Sequence, residues 1–186
     1  KRRATGLKDT DGPEGQNLSG RCLMFGAAAP SMTPGMMNPN LQIVQTKDHV
    51  MVLTEMIHDA RIIRVNDNHL PFNIPQWMGD PVASWEGDTL VVHSNNFRPE
   101  QSSSRAITLS DEFELTERYT LVSENEILYE FTVLDSKAYE RPFSGERILT
   151  RNRPEERVYE YACHEGNYSL PGILAGARRL DSVQGN

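Results

Sequence analysis

Glu86-Gly87-Asp88 is a turn signal caught between two runs that suit β-strands, Val82 to Trp85 and Thr89 to Ser94. Glycine supplies the positive φ that a tight turn needs, and aspartate tolerates such positions better than most residues. Thr89-Leu90-Val91-Val92 is β-branched and apolar, as a strand covered on both faces should be. A hairpin cannot stand alone in water, so the rest of the chain has to supply strands that pair with it.

Such strands follow one another closely. Leu41 to Thr46, Val50 to Ile57 and Ala60 to Val65 precede the hairpin; Phe113 to Val122, Ile127 to Leu134, Phe143 to Thr150 and Val158 to His164 come after it. Lys47-Asp48, Asn66-Asp67-Asn68, Ser123-Glu124-Asn125-Glu126 and Pro154-Glu155-Glu156 are the turns between them. Leu70 to Pro81, with three prolines and Trp77, is a loop long enough for a lid or plug, and the serine-rich 98–111 stretch is another. After Gly166, Pro171 to Leu180 reads as a short helix with proline near its start. No βαβ alternation and no internal repeat is present. The expectation is an all-β fold: an antiparallel barrel-like, lipocalin-like or sandwich domain of about nine strands, with a short C-terminal helix. A barrel is favoured over a sandwich because closure removes exposed edges.

The 186 residues suit one domain, read as a flexible arm over residues 1–20 followed by a single β-rich domain over 21–186. The arm is polar and glycine-rich. Residues 21–40 hold Pro30, Pro34 and Pro39 with Met24, Met32, Met36 and Met37, which excludes a continuous helix. Thioethers fill irregular gaps, so these methionines are expected to plug the end of the β-structure rather than bind a soft metal. The net charge of −7 argues against nucleic acid as the main partner. No stretch approaches the roughly 20 apolar residues of a membrane helix. No signal-peptide pattern occurs, and Lys1 rather than Met comes first, so a processed chain or part of a longer one is expected. The two cysteines, Cys22 and Cys163, are open on counts alone: two buried thiols, or one bridge tying the N-terminal segment to the end of the sheet.

Seven segments together resemble a family of uncharacterised, mostly exported bacterial proteins. They are Ile43-Val44-Gln45, Glu55-Met56-Ile57-His58, Trp77-Met78-Gly79-Asp80, Trp85 to Val92 (WEGDTLVV), Glu117-Arg118-Tyr119, Tyr129 to Val133 (YEFTV) and Tyr159 to Tyr168 (YEYACHEGNY). The resemblance carries no agreed activity. It does imply a periplasmic or secreted protein, and with that a Cys22–Cys163 disulfide.

The five histidines, His49, His58, His69, His93 and His164, show no HxxxH or HxH spacing, so no metal site is assigned. His58, His93 and His164 fall near strand ends and, with Glu55, are candidates for one rim. No nucleophile elbow, P-loop or dinucleotide fingerprint is present. Cys163-His164 is no dyad, because neighbours on a strand face opposite ways. In the strand from Phe113, the alternating set Phe113, Leu115, Glu117, Tyr119 and Leu121 is apolar except for Glu117. That carboxylate is therefore expected inside, paired with Arg61, Arg64, Arg147 or His93, unless a bulge near Thr116 flips the phase.

Three functions fit. The leading one is an exported barrel-like protein that binds a small, partly apolar ligand without a cofactor, lined by Glu55, His58, Trp77, His93, Glu117, Tyr119, Tyr129 and His164, with Phe131 beside them. The second is a cofactor-free Glu/His acid–base enzyme: a hydrolase, isomerase or cyclase. The third is an accessory subunit docking a protein partner through residues 1–40.

Overall fold

The structure is a computed structural model, described here over residues 8–25, 28–32, 38–103 and 107–184. Eight strands form one curled sheet, a half-barrel, in the order of the chain: β1 (Leu41–Gln45), β2 (His49–Thr54), β3 (Ala60–Val65), β4 (Asp80–Glu86), β5 (Thr89–Asn95), β6 (Glu114–Ser123), β7 (Glu126–Leu134) and β8 (Phe143–Thr150). Helices α1 (Cys163–Gly166) and α2 (Ser169–Gln184) end the chain. The all-β class and the C-terminal helix agree with the sequence reading, and α2 starts two residues before Pro171, in the first turn where proline is tolerated.

The eight strands among the described residues accord with the expected number of about nine, and two expectations are corrected. The segment Val158 to His164 is not a strand: the Tyr159 N–H donates to the Glu55 carboxylate, the Tyr161 carbonyl meets His58, and Cys163 opens α1. Side chains take the place of a ladder there, so its β propensity has no strand to satisfy it. One neighbouring pair, β3 with β4, is parallel, over Arg64 to Val82 and Val65 to Ala83; the 66–79 loop provides the crossover that a parallel pair requires.

Period-two burial organises the sheet. Val50 and Val52, Arg61 and Ile63, Leu90 and Val92, Leu115 and Glu117, Tyr129 and Val133 all face inward. Leu121, expected with the inward set of β6, keeps that phase opposite Ile127 but is exposed, because it lies at the end of the strand where the sheet opens into a groove. Ala28, Ala29, Ser31 and Met32 lie buried in the same core as these strands, while Met24 packs with Leu18 and Met78. Of the four methionines, Met32 thus joins the sheet's core and Met24 a separate cluster; Met36, Met37 and the first seven residues of the arm lie outside the described residues. On β7, Phe131 lies over Gly145 of β8, where a Cβ would come within 2.6 Å of its ring.

Candidate functional site

The sheet order leaves β1 and β8 as edges, so the half-barrel has an open side. After β8, the chain crosses toward the β2–β3 loop. The Asn152 side-chain amide donates to Asn40 Oδ1 at 2.9 Å, and Tyr159 and Tyr161 reach Glu55 and His58 as described. The Cys22–Cys163 disulfide, with Cα atoms 5.7 Å apart, fixes the far end, and the Asn167 side-chain amide donates to the Gly20 carbonyl beside it. Between these elements lies a groove of about 1580 Å³. Leu41, Ile43, Leu53, Ile127 and Leu149 give it apolar wall; Glu55, His58, Arg147 and His164 give it charge and hydrogen-bonding groups.

The rim at the β2–β3 loop is strained. Ile57 has φ 58° and His58 φ 47°, and a buried β-branched residue adopts that region only when its surroundings impose it. The fixings are on both sides. Glu55 is buried and accepts from Asn38 Nδ2 at 2.6 Å, Asn40 Nδ2 at 2.8 Å and the Tyr159 N–H at 3.4 Å. The bond from Asn38, then that from Asn40, hold its pKa below the ordinary value against the opposing effect of burial. Asp59 accepts the Phe25 N–H at 2.8 Å, yet burial outweighs that bond and pushes its pKa up to about 6. His58 Nδ1 lies 3.2 Å from the Tyr161 carbonyl; a carbonyl only accepts, so the ring donates from Nδ1.

A second polar group sits inside the sheet. Glu117 is fully buried on β6, as its alternating phase required, and its partner is Arg61 of β3 at 2.5 Å. The hydroxyls of Tyr119 and Tyr129 each donate to Glu117 Oε1 at 3.0 Å, Ser31 Oγ is 3.0 Å from the Tyr119 hydroxyl, and Arg61 Nη2 donates to Ser94 Oγ. Burial, opposed by the adjacent Glu117 charge, leaves Arg61 net raised in pKa; burial and the same carboxylate raise both tyrosines, which stay neutral donors. Arg147 reaches inward from β8 to the Ser31 carbonyl at 3.5 Å.

The eight candidate residues thus fall into separate places. Glu55, His58 and His164 line the groove together. Glu117, Tyr119 and Tyr129 form the interior network, and Phe131 is half-buried beside it. His93 is apart from both, on the outer face of β5 against His69 and Glu114. It therefore joins no cluster with Glu55, and among the described residues no group of three or more His, Cys, Asp or Glu is placed to hold a metal. Trp77 lies on the 66–79 loop, two-fifths exposed, beneath the Arg98 guanidinium at 5.1 Å. The sequence reading did not single out Asn38, Asn40, Tyr159 or His69. The Asn-Pro-Asn run before β1 is a visible polar signal, but its aim at Glu55 depends on a contact 15 and 17 residues away.

Compared with models of protein families, with curated proteins and with solved structures, the chain finds no match. What the fold and site define is a class: a half-barrel sheet, closed at one side by a disulfide-held segment, with a groove along its open side.

Proposed function

We propose that this half-barrel is the binding module of an exported, lipocalin-like protein whose groove takes a small, partly apolar ligand. The groove itself carries the reading. Its size exceeds what one drug-sized compound needs, and apolar side chains of both sheet edges stand in it among polar and charged ones, which suits a ligand that is only partly apolar. Glu55 favours binding over acid–base catalysis: both its oxygens are already engaged by asparagines and a backbone N–H, so it anchors the wall instead of exchanging a proton. The disulfide supports a periplasmic or secreted setting, where such bonds persist.

The test is a native mass spectrum of the gently purified protein against its denatured mass. A retained compound of defined mass is expected. Ile43→Arg with Leu121→Arg, both on exposed groove-lining positions, should weaken rebinding of that compound about tenfold by placing charge against apolar surface. Identical native and denatured masses, together with no variant-sensitive binding of an apolar fluorescent dye such as anilinonaphthalene sulfonate, would count against it.

A further inference from the structure

The strands carry four arginines. Three have a carboxylate partner: Arg61 meets Glu117, Arg64 meets Asp80 at 2.8 Å, and Arg118 meets Glu86 at 3.0 Å. The fourth, Arg147 of β8, has none among the described residues. Its guanidinium makes one hydrogen bond there, from Nη1 to the Ser31 carbonyl at 3.5 Å. A guanidinium holds about five N–H donors in a planar fork, so most of its capacity is unspent. Burial alternates along the whole of β8, and Arg147 pairs with Tyr129 as Leu149 pairs with Ile127, so both face inward. Arg147 is half-buried and lines the groove.

Its place along the groove is set by the two sheet edges. Asn152, after β8, meets Asn40, just before β1, and this contact marks one end. Counting from that end, Leu149 precedes Arg147 on β8, and Leu41 and Ile43 come first on β1. Leu41 and Ile43 share the inner face with Thr54 and Val52, their cross-strand partners. Aliphatic wall therefore lies between the Asn40–Asn152 end and Arg147. The carboxylates of the groove leave this cation unmatched. Glu55 has both oxygens engaged by the asparagines and the Tyr159 N–H, and Glu117 in the interior belongs to Arg61. Glu124, Glu126, Glu156, Glu160 and Glu165 are all exposed, as are Arg151 and Arg157, so water and salt screen them; Arg153 pairs with Glu156 at 3.1 Å.

We propose, resting on the reading of this groove as a ligand site, that the ligand is a monocarboxylate with an aliphatic tail, its carboxylate held by Arg147 and its tail laid along Leu149, Ile127, Ile43 and Leu41. The arginine fork matches the two oxygens of a carboxylate. One inward cation balances one negative charge, whereas a phosphate monoester brings up to about two. The exposed glutamates oppose an anion at the outer groove, which turns the head inward to Arg147 and the tail toward the Asn40–Asn152 end.

The test compares octanoate, 1-octanol and octylammonium by calorimetry on the disulfide-bonded protein. Octanoate should bind about tenfold more tightly than 1-octanol, and octylammonium more weakly than either. Arg147→Gln should bring octanoate down to the level of 1-octanol while 1-octanol itself changes by less than about twofold. A second readout needs no variant: the carbon-13 signal of carboxyl-labelled octanoate, followed across pH. A guanidinium beside a carboxylate lowers its pKa, whereas burial without a cation raises it. Bound octanoate should therefore stay ionised at a pH where the free acid is largely protonated. Three results overturn the proposal and leave the groove reading intact: 1-octanol bound as tightly as octanoate, a bound carboxyl pKa above the free one, or a preference for octanoate that survives in Arg147→Gln. If none of the three compounds binds, the proposal also fails; a compound retained in the native mass spectrum would then keep the groove reading, and its absence would remove both.

Discussion

Glu117, fully buried, and Asp59, partly buried, are two carboxylates with opposite circumstances. Glu117 is matched by Arg61 and two tyrosine hydroxyls. Glu117→Gln leaves the Arg61 charge buried without its counter-ion, so a loss of about 3–5 kcal/mol is expected in a urea melt, with reduced cooperativity if Ser31 and its neighbours loosen. If stability hardly changes while ligand binding disappears, Glu117 acts as a polar anchor for the ligand. Among the described residues Asp59 has no ion pair, and burial outweighs the Phe25 N–H and the nearby His58, so its folded pKa of about 6 lies above the ordinary 3.8. The folded state therefore binds the proton more tightly than the unfolded chain, and its advantage is complete below the unfolded value. It is lost as pH rises between those two values, and above them the charged carboxylate costs up to about 3 kcal/mol. Asp59→Asn should then stabilise the protein at neutral pH, with the gain fading on acidification toward pH ~4; equal gains at both pH values would mean the carboxylate is not the cause.

Among the elements, the β4–β5 hairpin is the most completely explained. Glu86 pairs with Thr89, leaving Gly87 and Asp88 as a two-residue turn, and Gly87 has φ 59° while Asp88 is not in the positive region, as a type II′ turn demands. A Cβ at Gly87 would meet nothing within 4 Å, so any cost of a side chain is backbone strain alone. Gly87→Val should destabilise by about 1–2 kcal/mol and Gly87→Asn by less, measured by denaturant midpoint with unchanged m-value. The β2–β3 connection shows the contrary case. Val50 to Ile57 reads as one apolar strand, but β2 ends at Thr54 and Glu55 to His58 fold into a 3-10 turn. Hydrogen bonds from Asn38, Asn40 and Tyr159, three residues remote in sequence, outweigh the strand propensity of that run.

At the scale of the whole molecule, the disulfide spans 141 residues and holds the crossing segment over the open side of the sheet. Closing so long a loop is worth about 3–5 kcal/mol in the chain-entropy model. Reduction should lower the melting temperature by about 10 °C, with exchange protection lost first around Cys22, Tyr159 and Tyr161 rather than in β5–β7. Two thiols titrating in the folded, never-reduced protein would contradict the bridge.

The sequence alone determined the class of fold, the hairpin with its glycine, most strand limits and the inward phase of Glu117. Each rests on local physics: turn chemistry, β-branched runs and a side-chain period of two. It left the partner of Glu117 among four candidates. Arg61 and Arg64 differ by three places on one strand, so they face opposite sides; which one meets β6 follows from how β2 to β5 curl, and β3 and β6 are not neighbours in the sheet. The absence of a ninth strand at Val158, the pairing of His93 with His69 and the groove itself were decided the same way. They depend on where two sheet edges and a 14-residue crossover come to rest, a matter of tertiary packing that no short window of residues contains.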